Sequence, residues 1–374
     1  MRILVVTGQS GGHIFPALSF LDVLNHRYKD IDTLLILPLQ KNQSRQPIGD
    51  IFGKNLASCK KSPDYRVSYL AISPIELSLS FKNFIAILKF FKGSLKSIII
   101  FLTFKPDIVV GFGTLVCIPA IVFARLFGIK TVIHEQNVIP GKANRFLAKF
   151  SHRIAISFKE TKDYLKGYET KVVLTGNPLR KELEQIDKKE ALIFFGFQDD
   201  KFTILIMGGS QGSRRINLGF LRAMSNISDK FKFQIIHLAG HLDYDLLKES
   251  YRGLNTDIQL FRFLKPMQYA YSACDLVVSR GGASTIAEII FFKLPAIIIP
   301  YPFAYKHQTA NAKVLEKMGS AIIINDNELD KDTFKVNLEK LLNNPERIKA
   351  MRLCYDSVSR VNINDLLVNA VLSS

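Results

Sequence analysis

"TGQSGGHIFPAL", residues 7–18, stands directly behind the apolar run Ile3 to Val6, and its reading decides the fold. A hydroxyl, three glycines and a histidine occupy the turn between a first strand and a helix that begins near Phe15. Glycine carries no Cβ, so backbone amides at such a turn approach a ligand closely, and they lie at the positive end of the following helix. The turn is a place for negative charge.

Working outward, short β-branched apolar runs recur between helical stretches: Ile3-Val6, Thr33-Leu37, Asp107-Val110, Lys130-Ile133, Arg153-Ile156 and Lys171-Leu174. A second series follows, Thr203-Met207, Gln234-His237, Asp275-Val278, Ala296-Ile299 and Ala321-Ile324. Strands apolar on both faces and alternating with helices predict parallel sheets covered on both sides. The fold class is α/β, with two doubly wound Rossmann-like domains facing across a cleft and ligands at the carboxyl ends of the strands. The first domain is assigned to 1–177 and the second to 178–350. Residues 351–374 read as a C-terminal helix; sequence leaves open which domain it packs on, and a return to the N-terminal domain is the expectation.

Two more glycine turns share the pattern: Gly208-Gly209-Ser210-Gln211-Gly212 and Arg280-Gly281-Gly282-Ala283-Ser284-Thr285. Neither GxxxxGK[ST] nor, in the first two turns, GxGxxG is present, which argues against P-loop NTPases and dinucleotide oxidoreductases. Glycines alone can simply make tight turns, but three such loops each carrying a hydroxyl favour anion binding. His13, at the mouth of the first turn, has the right type of side chain for a general base near neutral pH, or it is a structural histidine. Glu288, placed on the first turn of the helix that the third loop opens, either complements the helix dipole or accepts two ribose hydroxyls. "HEQN", residues 134–137, ends an apolar strand with four polar residues and is read as lining the cleft.

The formal charge of +17 and a pI near 9.6 imply an anionic partner. Four dispersed cysteines suggest neither a disulfide framework nor a zinc cluster, and the N-terminus lacks a signal-peptide pattern. Asp30/Asp32 and Asp243/Asp245 lie in or beside helical, solvated stretches, so no catalytic metal is expected there.

The blocks "SGGHIFPAL", "HEQNVIPGKANR", "TGNPLR", "GGSQGSRRIN", "SRGGASTIAE" and "PYPFAYKHQTANA" occur in the order and spacing of the bacterial MurG family, which the chain resembles over nearly its whole length. That resemblance implies a GT-B glycosyltransferase that moves N-acetylglucosamine from UDP-GlcNAc to lipid I, giving lipid II with inversion, with no cofactor or metal required. By motif, Arg180, Ser210, the Ala283-Ser284-Thr285 backbone and Glu288 would hold the UDP at base, phosphate, phosphate and ribose. Phe263 and Leu264 would cap the uracil, and Asn137, Gln308 and Asn311 would meet the sugar. Ser10, Gly11 and Gly12 belong to the substrate-binding set, with Ser10 and His13 facing the acceptor and its diphosphate. His13 is the base candidate and Glu135 the weaker one. The implied partners are UDP-GlcNAc, polyprenyl-diphosphate-linked lipid I, an anionic membrane surface and other cell-wall or division proteins, with no nucleic acid. The implied location is peripheral, at the cytoplasmic face of the cell membrane. The chain departs from the family at "GFGTLVCIP", 111–119, where Thr114, Leu115, Cys117 and Ile118 replace a glycine, tyrosine, serine and glycine. The acceptor side is thereby altered. Gln9 and Ser10 stand for the usual Gly-Thr, so Gln9 needs a backbone angle compatible with a side chain.

"FKNFIAILKFFKGSLKSIIIFL", 81–102, lies in a stretch without acidic residues from Glu76 to Asp107 and carries Lys82, Lys89, Lys92 and Lys96 on one helical face. Its twelve Ile, Leu and Phe residues from Phe84 to Leu102 gain roughly 4 to 7 kcal/mol on insertion, but three central lysines cost roughly 8 to 10, so spanning a bilayer loses. An interfacial helix is favoured, since each lysine near an anionic surface contributes about 1 kcal/mol. A core helix with a lysine-lined outer face is the other reading. Two competing functions are a UDP-GlcNAc 2-epimerase on the same fold and, more remotely, a basic nucleic-acid-binding module. The second lacks any known nucleic-acid signature.

Overall fold

The computed structural model describes residues 1–39, 65–70, 81–209, 211–227, 230–304, 306–357 and 363–374, and of 81–87, 225, 226 and 357 the backbone only. The chain divides into two compact units, Met1–Lys181 with Val361–Ser374, and Glu182–Arg360. The divisions lie a few residues beyond those assigned from sequence at the first boundary and ten beyond at the second.

Unit 1 is built on a parallel sheet of β1 (Arg2–Val6), β2 (Asp32–Pro38), β3 (Arg66–Leu70), β4 (Ile108–Gly111), β5 (Lys130–Glu135), β6 (Arg153–Ile156) and β7 (Val172–Leu174), in the spatial order 3-2-1-4-5-6-7. Alternate residues of β1 feed two separate cores, Leu4 and Val6 on one face and Ile3 and Val5 on the other. That is why the run has no polar alternation. The strand order reverses at β1, flanked by β2 and β4, so the "TGQSGGH" turn leaves the sheet at its switch point, where α/β sheets bind ligands.

Unit 2 repeats the plan with β8 (Phe202–Met207), β9 (Phe233–Leu238), β10 (Asp257–Phe261), β11 (Leu276–Ser279), β12 (Ala296–Ile298) and β13 (Ala321–Ile323), in the order 10-9-8-11-12-13. Its switch point lies at β8 and β11, the strands that carry the second and third glycine turns. β3 and β10 were not among the strands expected from sequence. Both are edge strands, partly exposed and written with polar residues, RVSYL and DIQLF, so neither shows the continuous apolar run of an inner strand.

The last helix, Ile363–Leu372, belongs to unit 1: Leu367, Val368 and Val371 enter the core that holds Ile3 and Val5. Asp365 pairs with Arg27 at 2.7 Å, and Asn364 exchanges two hydrogen bonds with the backbone of Leu179, at 2.8 and 3.0 Å.

Candidate active site

In unit 1, helix α1 (Gly11–Arg27) starts on the double glycine. The Ser10 carbonyl accepts from the amides of His13, at 2.9 Å, and Ile14, at 3.0 Å, while the exposed Ser10 hydroxyl caps nothing. First-turn amides of a helix have no partner inside it, so Gly11 and Gly12 present donors at the positive helix end. Gln9 sits outside the left-handed region, and its side-chain amide donates to the Pro38 carbonyl at the end of β2.

His13 is half-buried and its Nδ1 lies 3.0 Å from Gln136 Oε1. The imidazole fits because Gly113, with a left-handed φ of 82°, has no Cβ: one built there would stand 3.2 Å from the ring. Behind Gln136, His134 is buried, and its Nε2 donates to the Gly176 carbonyl at 3.0 Å. Burial pushes the His134 pKa down to about 4, so this imidazole is neutral at physiological pH.

Glu135, the weaker base candidate, is enclosed by donors. Its carboxylate is 2% exposed and accepts from the backbone amides of Asn137 and Gly141, at 2.9 and 3.0 Å, and from the side chains of Asn137 and Asn144, at 3.3 and 2.8 Å. A carboxylate holding four donors is a clamp for the 136–144 segment. Asn137, expected at the sugar, spends two donors on that clamp. Arg180, expected beside the uracil with the second domain, lies in unit 1, its guanidinium 5.2 Å from the ring centre of Phe15 on α1.

The divergent 111–119 loop closes the other side of this turn. Thr114 adopts a φ of 72°, where a β-branched residue is strained. Its methyl would be 2.6 Å from a Cβ added at Gly8. Cys117 is buried, its thiol 2.6 Å from the Gly113 carbonyl oxygen and 3.3 Å from that of Val6, and burial pushes its pKa up to about 12.

In unit 2, Ser210 lies outside the described residues. The turn around it is built by close backbone contact: Gly209 and Gly212 have φ of 95° and 78°, and a Cβ on Gly212 would run into the Ala239 carbonyl. The third turn is held by Arg280, 8% exposed, which donates to the Ile299 carbonyl, to Ser213 Oγ at 2.7 Å and to Asp326 at 2.5 Å. One guanidinium thus ties the second and third glycine turns together. Its role was invisible in sequence because its partners are 46 and 67 residues away.

Helix α3 (Ala283–Phe291) opens on this turn, with Ser284 and Thr285 half-buried in its first turn. Glu288 lies in the second turn, not the first as read from sequence, so dipole complementarity, which fades beyond one turn, is a weak reason for it. Tyr271, buried and stacked on Phe292 with centroids 5.0 Å apart, donates to Glu288 Oε2 at 2.6 Å. Gln308 and Asn311 are used differently from expectation. Gln308 Oε1 accepts from the amides of Gly281, at 3.1 Å, and Tyr301, at 2.9 Å; Asn311, 0% exposed, donates to the Gly281 carbonyl at 3.1 Å. Both shape the glycine turn from behind. Of the capping pair, Phe263 is 41% exposed, whereas Leu264 is buried in the core.

Among the described residues no group of three His, Cys, Asp or Glu is placed to hold a metal. Asp32 pairs with Arg66 and Asp245 with Arg262, and Asp243, expected to be solvated, is buried and accepts from Asn217 at 2.9 Å.

Residues 3–156 match the glycosyltransferase family 28 N-terminal domain and 203–366 its C-terminal domain. A UDP-N-acetylglucosamine--N-acetylmuramyl-(pentapeptide) pyrophosphoryl-undecaprenol N-acetylglucosamine transferase of Desulforamulus reducens is 32% identical over 96% of this chain and 95% of its own. The enzyme of the same name from Halothermothrix orenii is 34% identical over 99% and 98%. Among solved structures, Acinetobacter baumannii MurG superposes with a TM-score of 0.76 at 22% identity, covering 100% of this chain and 99% of its own. A UDP-GlcNAc 2-epimerase from Neisseria meningitidis superposes with 0.65 at 18%, covering 100% of both chains, and shares the two-domain Rossmann-like fold alone. The chain therefore belongs to glycosyltransferase family 28 and, within it, to the UDP-N-acetylglucosamine--N-acetylmuramyl-(pentapeptide) pyrophosphoryl-undecaprenol N-acetylglucosamine transferases.

Proposed function

We infer that this chain transfers N-acetylglucosamine from UDP-GlcNAc to the N-acetylmuramyl group of a peptide-bearing, undecaprenyl-diphosphate-linked acceptor, the lipid I to lipid II step of peptidoglycan synthesis. The observation that carries this reading is membership of that enzyme family over the full chain. The geometry supports it. Leaving-group charge on UDP needs preorganised donors, and the first-turn amides of α3 with Ser284 and Thr285 are of that kind. Glu288, fixed by Tyr271, takes the ribose. His13, on the unit 1 turn, takes the proton of the acceptor hydroxyl. As that oxygen bonds to the anomeric carbon, the bond to the UDP oxygen breaks and UDP leaves with the pair, inverting the centre. No cofactor is assigned. Proton removal of this kind is worth about 10² to 10⁴ in rate.

The helix α2 (Phe81–Phe104) supports a place at an anionic membrane surface. Leu88, Phe91, Leu95, Ile99 and Leu102 recur every three or four residues and are all more than half exposed, Phe91 by 63%. Lys92 and Lys96 are exposed beside them, and Lys89 partly so; the Lys82 side chain lies outside the described residues. A lysine-lined core helix would not expose this apolar stripe. Arg2, Lys105 and Phe127 line a pocket with Leu102 at the helix end, extending the basic and apolar surface. Among the described residues no helix is long and apolar enough to cross a membrane, and the α2 face is instead suited to lying in the interface.

The test is incubation of the purified chain with labelled UDP-GlcNAc and a lipid I analogue. Label in the lipid product, abolished by His13→Ala with UDP-GlcNAc binding retained, is expected. Conversion of UDP-GlcNAc to its 2-epimer without any lipid product would overturn the reading in favour of an epimerase.

A further inference from the structure

The polar end of β5 (Lys130–Glu135) and the residue after it form a chain of hydrogen bonds that ends on His13. We propose that Gln136 is a positioning residue that holds His13 in the tautomer protonated on Nδ1 and so leaves Nε2 as the atom that takes the acceptor's proton. This rests on His13 being the base.

The assignment follows from which groups can donate. Gln136 Nε2 lies 3.3 Å from the carbonyl oxygen of Phe112 and 3.3 Å from that of His134. An amide oxygen in that position would face two acceptors, so this end of the side chain is the NH2. The same nitrogen is 3.1 Å from His134 Nδ1. His134 Nε2 is committed as a donor to the Gly176 carbonyl, so its Nδ1 carries a lone pair and accepts. Three acceptors around one end of Gln136 turn its Oε1 toward His13, and Nδ1 of His13, 3.0 Å away, has to donate. The other nitrogen, Nε2, is then the bare one.

The anchor is rigid. Gln136, His134 and Phe112 are all completely buried, and the Phe112 ring packs on the His134 imidazole with centroids 5.4 Å apart. Protonation of His134 at Nδ1 would put two donors face to face and release the amide; burial, which keeps this imidazole neutral, prevents it. A carboxylate here would turn its second oxygen toward those three acceptors, so an amide is the group that serves both ends. The other charged side chains nearby are placed otherwise: Glu135 is turned to Asn137, Gly141 and Asn144, and Arg180 covers Phe15 on α1. In the reaction, Nε2 takes the hydroxyl proton as the new sugar–oxygen bond forms and UDP leaves with the bonding pair, and the resulting imidazolium keeps its Nδ1–H on Gln136.

Two measurements on the full chain test this. Imidazole nitrogen spectra of the unaltered protein, with the His13 signals identified by their loss in His13→Asn, should show Nδ1 protonated and Nε2 bare; the reverse pattern overturns the proposal, whatever any variant does. Steady-state transfer to a lipid I analogue should show kcat of Gln136→Leu lowered about 10- to 100-fold, a part of what a general base supplies, with KM for UDP-GlcNAc unchanged. In Gln136→Leu the same spectra should show His13 as a mixture of the two tautomers, which a purely structural role would not produce. Wild-type kcat and pH profile in Gln136→Leu would overturn the positioning role while leaving His13 as base. Full activity in His13→Ala would instead overturn the reading on which it rests.

Discussion

The hydroxyl of Tyr271 donates to Glu288 Oε2 at 2.6 Å from a position 1% exposed to solvent. A tyrosine in the last turn of the short helix Met267–Ala273 thereby aims the carboxylate of α3. Tyr271→Phe keeps the stacking on Phe292 and removes this bond together with the hydroxyl's 3.6 Å contact to Met207 Sδ; a hydrogen bond with one charged partner is worth about 1.5 to 3 kcal/mol. UDP affinity should fall about tenfold. Glu288→Ala should lose at least as much. Calorimetric titration with UDP checks both, and unchanged dissociation constants would remove Glu288 from the ribose role.

Gly8 and Thr114 share one space. Gly8→Ala should destabilise unit 1 by about 1 to 3 kcal/mol through overpacking against the Thr114 methyl. Thr114→Gly relieves the left-handed backbone of a β-branched residue, a strain of roughly 1 to 2 kcal/mol. The double variant should be more stable than the sum of the two single effects implies. Additive melting free energies would show that the two positions are uncoupled.

The α2 face should bind vesicles rich in phosphatidylglycerol. Changing Lys89, Lys92 and Lys96 to Glu removes about 3 kcal/mol of attraction, roughly a hundredfold in partitioning, and adds repulsion. Phe91→Ser with Leu95→Ser should weaken binding at every lipid charge. Sedimentation with vesicles measures both, and full retention of the lysine variant would rule the face out as a docking surface.

Acid should weaken each unit through a buried imidazole. Burial lowers the His134 pKa from 6.5 to about 4 and that of His237 to about 3. Between those values and 6.5 the unfolded chain binds the extra proton, so stability is full above pH 6.5 and is lost as pH falls toward 4 and 3. The loss is on the order of 3 kcal/mol or more for each group. Melting temperatures from pH 7 to 4.5 should fall less steeply in His237→Gln than in the unaltered chain; parallel curves would contradict the assignment.

Much of the architecture was legible because it is local. An apolar run with no alternation announces an inner parallel strand, and glycines behind it announce a turn that lets amides approach a ligand. β3 and β10 escaped because polar residues interrupt them, RVSYL and DIQLF, whereas the other two edge strands, VVL and AII, keep a short apolar run.

By itself, the sequence determined the two α/β units, the three glycine turns, the family and the residue types available to the chemistry, since each depends on neighbours a few positions apart. What the side chains do was decided only by the tertiary structure. His13 meets Gln136 across 123 residues, Arg280 meets Ser213 across 67, and the last helix returns to unit 1. Asn311 meets Gly281 across 30 residues, whereas Glu135, the weaker base candidate, meets Asn137, Gly141 and Asn144 within nine positions. Hydrogen-bond partners and burial are properties of the folded neighbourhood, and no spacing along the chain encodes which of two polar groups will be shut away from water.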